Sequence, residues 1–330
     1  MKRLLIWLFC AGLAATMMAS EPARRPRIGL VLGGGGAKGA AEVGALKVIE
    51  EAGIPIDCIA GTSIGSIVGG LYAVGYRADA LDSLFCSQEW LSLLADRADR
   101  FKDKILTEEE GVTYIFGIPV SRVGSKHANP LFGAVKGDNI IELFQKLTQT
   151  GDSINFNELP IPFRCVAADL KEGCDVVLDC GSLPIAMRAS MAIPGVFKPV
   201  RRGKRVLFDG GLYNNLPADV VKAMGADIII AIDLTQEKEK PRSFSLKESW
   251  GIGGLADWVV SRPDIKRYEQ NCKLVDVYIC PALGKYGVTS FSRESIGQMI
   301  RLGEEAARSK WDELMTLRQL TGEGGETSLE

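Results

Sequence analysis

Apolar positions in this chain fall into short blocks whose internal spacing changes along the sequence. Residues 27–32 form a leucine- and β-branched-rich run ending at Leu32, which predicts a strand. Gly33 to Gly36 break it. Ala41, Ala45, Leu46, Val48 and Ile49 then recur at helical spacing until Gly53 and Pro55 end the pattern. Residues 56–60 predict a second strand, Gly61 to Gly65 a sharp turn, and residues 66–74 a second helix that stops at Gly75. Strand, helix, strand and helix in so short a stretch predict a parallel sheet with covering helices. Between Tyr76 and Gly137 the periodicity loosens into charged helical pieces, 80–94 and 96–104, and an apolar run, 112–120, a segment suited to covering a site. Strand signals return at 163–168, 176–178, 205–208 and 227–234, the last with a core, Ile228 to Ile232, that reads as buried on both faces. A charge run at 237–242 marks a local break, residues 292–320 carry an amphipathic helical pattern, and 321–330 is a polar tail. No internal repeat is present.

Composition narrows the classes. The 330 residues are 46% hydrophobic, 24% charged and 7% aromatic, which excludes disorder, collagen and coiled coil as whole-chain descriptions. One α/β domain over 27–320 accommodates this length. Lysine and arginine number 39 against 41 acids, a formal net charge of −2, so nothing favours a nucleic-acid partner. His127 is the single histidine, which excludes any site needing two, and the eight cysteines contain no C-x-x-C pair, so no metal is expected. Lys2 and Arg3 precede an uncharged run over 4–19 that ends in small residues. That arrangement predicts a secretory signal over 1–20 and an exported protein, periplasmic, outer-membrane associated or secreted; an uncleaved anchor is the alternative. The run is short for a spanning helix, which needs about 20 apolar residues, and no later segment is apolar for that long. Loss of the leader removes Cys10 and leaves an odd number of cysteines, so at least one is free or paired between chains.

Three glycine-rich segments carry the chemistry. Ser63 sits in Gly61-Thr62-Ser63-Ile64-Gly65, after a strand and before a helix, where a tight turn projects a nucleophile from the sheet edge. Gly33 to Gly39 form a glycine-rich strand-to-helix turn whose backbone N–H groups suit an oxyanion. The competing nucleotide readings fit poorly. Gly34-x-Gly36-x-x-Gly39 matches a dinucleotide fingerprint, but the second strand ends in the serine turn instead of a ribose-binding acid; a phosphate-binding loop lacks the glycine before Lys38 and the Ser or Thr after it. A serine nucleophile needs a base. His127 lies in a polar, turn-prone stretch, and no histidine follows Asp209, whereas Asp209 ends a strand and precedes Gly210 and Gly211. Asp209 is therefore the expected base, a weak one unless it is partly desolvated.

In these segments the chain resembles the patatin-like phospholipases, whose pattern is a G-G-G-x-[K/R]-G loop, a G-x-S-x-G elbow and a D-G-[A/G] turn, in that order. The stretch from Arg188 to Phe197, Arg-Ala-Ser-Met-Ala-Ile-Pro-Gly-Val-Phe, is also similar to one that precedes the aspartate in that family. The resemblance covers 28–234. It implies a three-layer α/β sandwich of helices around a central, largely parallel sheet, and hydrolysis of acyl esters of lipids, phospholipid at a membrane surface foremost, without metal or organic cofactor. Ser63 is carried over as nucleophile, Asp209 as base of a Ser-Asp dyad, and Gly34, Gly35, Gly36 and Lys38 as oxyanion stabilisers. Some bacterial members attach this domain to an outer-membrane barrel, so the chain is expected to be either free-standing or the exported part of something longer. Two alternatives stay open: an esterase or thioesterase on small soluble substrates, and a non-catalytic lipid-binding envelope module. Oligomeric state is left open.

Overall fold

The first strand, β1 (Ile28–Leu32), is buried at every position, and that fixes it at the centre of a sheet covered on both faces. In the computed structural model, which describes residues 24–94, 135–235 and 265–322 and three short strands within 106–120, β1 pairs in parallel with β2 (Cys58–Thr62) on one side. On its other side it pairs in parallel with β12 (Ile228–Ile232). Among the described residues the main sheet has eight strands in the order β10 (Val200–Arg202), β11 (Arg205–Asp209), β7 (Phe163–Asp169), β2, β1, β12, β13 (Val277–Ile279), with β8 (Cys174–Leu178) added on β7. A separate antiparallel pair joins β6 (Ile154–Asn155) to β9 (Cys180–Gly181). The run from β7 to β13 is parallel, and β8, β10 and β11 run antiparallel to their neighbours.

Side chains alternate along these strands and build two cores. Ile28, Leu30, Leu32, Ile230 and Ile232 point to one side. That core also takes in α1 (Ala40–Glu51), α2 (Ile64–Ala73), α5 (Asp138–Thr148), α6 (Leu183–Ser190) and α9 (Arg293–Arg308). Val31, Cys58, Ala60, Ile229 and Ala231 face a smaller core beneath α7 (Ala218–Ala223) and α8 (Ile265–Cys272). The expected three-layer sandwich is the observed one. The α1 and α9 helices approach until backbone meets backbone: a Cβ on Gly44 would lie 1.9 Å from Ile300 O, and one on Gly303 1.9 Å from Ala41 O.

Several element boundaries differ from those the pattern predicts. Residues 292–320 form two helices, α9 and α10 (Trp311–Leu320), split at Ser309 and Lys310, so that Leu314 and Leu317 of the second are also buried. Residues 80–94 likewise divide into α3 (Ala78–Ser87) and α4 (Trp90–Leu94), because Gln88 is extended and Trp90 folds back with its indole N–H donating to Phe85 O at 2.8 Å. Thr321 of the expected polar tail is buried against the end of α10. The apolar run over 112–120 contributes β4 (Val112–Ile115) and β5 (Ile118–Val120) to a three-stranded antiparallel sheet with β3 (Leu106–Glu109). The leader expected over 1–20, the helical piece expected over 96–104, His127 and the charge run over 237–242 lie outside the described residues. No described helix is long and apolar enough to cross a membrane.

Candidate active site

Strand register brings the two distant motifs together. Along one edge, β7 pairs with β8 from Cys165 to Asp169. Its other edge is shared: β2 occupies Phe163 to Val166, with Thr62 opposite Val166, and β11 takes over from Ala167, with Asp209 opposite it. The ends of β2 and β11 thus meet on consecutive residues of β7. Ser63 follows Thr62 directly, and its Oγ donates a 2.7 Å hydrogen bond to Asp209 Oδ2.

The chain reversal expected over Gly61 to Gly65 is concentrated in Ser63 alone. Gly61 and Thr62 are strand, Ile64 and Gly65 are helix, and Ser63 between them has φ 54° and ψ −123°. A non-glycine residue at positive φ is strained. Both flanking glycines are required by close approach, since a Cβ on Gly61 would lie 2.2 Å from Gly65 O and one on Gly65 2.4 Å from Leu32 O. Ser63 is 4% exposed and Asp209 2%. Asp209 Oδ1 accepts the Gly211 N–H at 2.8 Å, and a Cβ on Gly210 would lie 2.2 Å from Val166 O. Burial pushes the Asp209 carboxyl up from its ordinary 3.8 to about 7, against the hydrogen bonds from Ser63 and Gly211, which favour the charged form. A carboxyl in that range is poised as a base near neutral pH, which removes the weakness that an unperturbed aspartate would have.

The glycine loop lies against the serine. Gly34 packs so closely that a Cβ there would be 3.2 Å from Ser63 Cβ. Gly35 is buried and Gly36 half-buried at φ 57°, and neither N–H donates to a described residue. A Cβ on Gly39 would lie 2.2 Å from Ile64 Cγ1, so Gly39 lets the loop seat on α2. Lys38 is half-buried, with its ammonium in no ion pair with a described residue.

Two residues that the motifs do not contain hold this geometry. Ser190, at the end of α6, accepts the Ser63 N–H on its Oγ at 2.8 Å and donates to Val166 O at 2.5 Å, tying the elbow to β7. It lies within the Arg188 to Phe197 stretch, whose resemblance carried no role for any single residue. Asn215 clamps the loop: Gly34 N donates to its carbonyl and its Nδ2 donates to Gly34 O, each at 3.2 Å. Its neighbour Asn214 accepts Thr62 Oγ1 on its carbonyl at 2.8 Å. One segment, immediately after the aspartate, therefore anchors both other motifs. Replacing Gly34 by alanine puts a Cβ 2.3 Å from Asn215 Oδ1 as well as against Ser63. The expected outcome is a folded protein whose fluorophosphonate labelling rate falls roughly 10²-fold, the scale of a lost oxyanion donor, read by stopped labelling time courses.

Among the described residues no group of three or more His, Cys, Asp and Glu is placed to hold a metal ion. A buried serine bonded to a desolvated carboxylate, beside undirected backbone N–H groups, is equipped for acyl transfer.

The family model for patatin-like phospholipase matches residues 30–222. Patatin-like phospholipase domain-containing protein 6 of Mus musculus is 35% identical over 214 residues, covering 64% of this chain and 14% of that protein. An uncharacterised NTE family protein of Mycobacterium bovis is 32% identical over 216 residues, covering 66% of this chain and 51% of that protein. The chain thus spans a small part of the first relative and about half of the second. Among solved structures, VipD from Legionella pneumophila has a TM-score of 0.47 and 15% identity, covering 92% of this chain and 73% of that one.

Proposed function

The chain belongs to the patatin-like phospholipase family, and from that premise we propose that it is a serine acyl hydrolase acting on ester bonds of phospholipids or related lipids. The observation that carries the mechanism is the 2.7 Å hydrogen bond from Ser63 Oγ to Asp209 Oδ2 in a site where burial holds that carboxyl near 7. Ser63 Oγ attacks the acyl carbonyl carbon while its proton passes to Asp209. The carbonyl oxygen, now an oxyanion, is met by the Gly35 and Gly36 N–H groups; Gly34, expected to share this role, has its N–H taken by the Asn215 carbonyl and shapes the loop instead. Collapse of the tetrahedral intermediate expels the alcohol, which takes the proton from Asp209, and leaves the acyl group on Ser63. Water then attacks the acyl-enzyme as Asp209 accepts its proton, and release of the fatty acid restores the serine.

Lys38 stands at the start of α1, where its charge adds to the positive end of the helix. The relatives' names support a lipid ester as the substrate class: a phospholipase domain in one, neuropathy target esterase in the Drosophila melanogaster relative that is 33% identical over 217 residues. The test is fluorophosphonate labelling of the full chain, followed by rates on dispersed phospholipids and on short-chain soluble esters under matched conditions. Labelling at Ser63 with faster turnover of phospholipid is the expected result. Faster turnover of soluble esters would replace the substrate class, and absence of labelling would remove the enzyme reading in favour of lipid binding alone.

A further inference from the structure

The outer end of the sheet carries a concentration of positive charge that catalysis does not use. The β10–β11 hairpin and the residue leading into it present Lys198, Arg201, Arg202, Lys204 and Arg205 with no acid among them, and 201–205 are all exposed. None of the five forms an ion pair with a described residue. Gly203, at φ 60°, opens the two-residue turn, which sets Arg202 and Arg205 directly opposite one another. Like charges across a strand pair are destabilising. Protecting an edge strand from unwanted pairing takes a lysine or a bulge; an opposed arginine pair inside a five-cation cluster exceeds that need and calls for negative charge from outside. The chain as a whole has a formal net charge of −2, so this local field is set against the average.

What lies behind the hairpin selects the kind of anion. A cavity of about 180 Å³ lies there, and its lining combines Arg201 and Arg202 with Leu178, Ile185, Ala189 and Leu207. Ala189 is next to Ser190, which holds the Ser63 amide, and Leu207 lies on the same face of β11 as Asp209. Arg205 is about 13 Å along the strand from Asp209, at roughly 3.3 Å per residue. A single-stranded nucleic acid would ask for aromatic stacking surfaces beside the cations; aliphatic walls suit acyl chains.

We infer that the β10–β11 hairpin docks the protein on an anionic phospholipid surface, its arginines and lysines taking the lipid phosphates beside the catalytic centre. This rests on the lipid-hydrolase reading only for its purpose, since docking is measured without turnover. Basic residues near an anionic leaflet each contribute about fivefold in affinity, and the effect is screened by salt.

The test is co-sedimentation of the full chain with vesicles of phosphatidylcholine alone or with phosphatidylglycerol added. Wild-type protein should bind the anionic vesicles at least about tenfold more tightly, and lose that preference in about 0.5 M salt. The variant Arg201→Gln, Arg202→Gln, Lys204→Gln, Arg205→Gln should bind both vesicles alike. Arg205→Gln alone should melt at a higher temperature, because the opposed pair is gone, yet bind anionic vesicles less well; a merely structural arginine would not separate these readouts. Equal wild-type binding to both vesicles, undiminished preference in Arg205→Gln, or tighter binding to a single-stranded oligonucleotide would each overturn the inference. Anionic-vesicle binding without lipid hydrolysis would sink the catalytic proposal and leave this one standing; hydrolysis without the preference would do the reverse.

Discussion

Ser63→Ala is expected to lose fluorophosphonate labelling completely and ester hydrolysis to background, with the fold retained. The substitution deletes one atom, the Oγ whose sole described hydrogen bond runs to Asp209. The backbone contacts that shape the elbow persist, because Ser63 N still donates to Ser190 Oγ and Ser63 O still accepts the Ser66 hydroxyl at 2.6 Å. Removing the nucleophile of a serine hydrolase costs about 10⁶-fold in kcat. A companion variant separates chemistry from strain. Ser63→Gly should be equally inactive but more stable than Ser63→Ala, since φ 54° with ψ −123° strains any side chain there by about 1 to 3 kcal/mol. Thermal melts compare the two. Turnover near the wild-type rate in Ser63→Ala would move the nucleophile elsewhere.

The sequence was informative wherever one residue type is required for a local reason. Glycines at 61 and 65 are dictated by backbone approach, and β1 and β12 are recognisable as unbroken apolar runs because both faces are covered. Strands β10 and β13 have three residues each, too few to show a period. The handing over of one β7 edge from β2 to β11, which places Ser63 beside Asp209, depends on pairing between segments far apart in the chain and leaves no local trace. Ser190 and Asn215 act through a single hydroxyl and a backbone carbonyl with its amide, roles that many residues in many loops perform. Glu42 shows the opposite failure. It sits in the first turn of α1, where an acid is ordinary, yet it is fully buried with neither carboxyl oxygen bonded to a described group. Burial, with the negative Asp233 nearby, holds its pKa well above the usual range, and the Gly33 amide, bonded to Ile232 O, gives little relief.

Asp209→Asn should lose about four orders of magnitude in turnover while becoming the more stable protein at alkaline pH. The asparagine oxygen can still accept Gly211 N–H, but its Nδ2 then faces Ser63 Oγ as a donor, so the hydroxyl has no base. In the wild type the base form is required, so the labelling rate should fall about tenfold for each pH unit below about 7. The stability effect has a definite sign. The folded-state pKa is raised from 3.8 to about 7, so the folded protein keeps a proton that the unfolded chain releases. That contribution is fully present below about 4 and is lost as pH rises through 7. Asparagine does not ionise, so the variant's melting temperature should change less between pH 5 and pH 8 and exceed that of the wild type at pH 8. Labelling rates across pH and melts at the two pH values check both halves. An asparagine variant with wild-type turnover would transfer the base to another group, and His127→Ala, expected to keep most of the wild-type rate, would then be the variant that loses it.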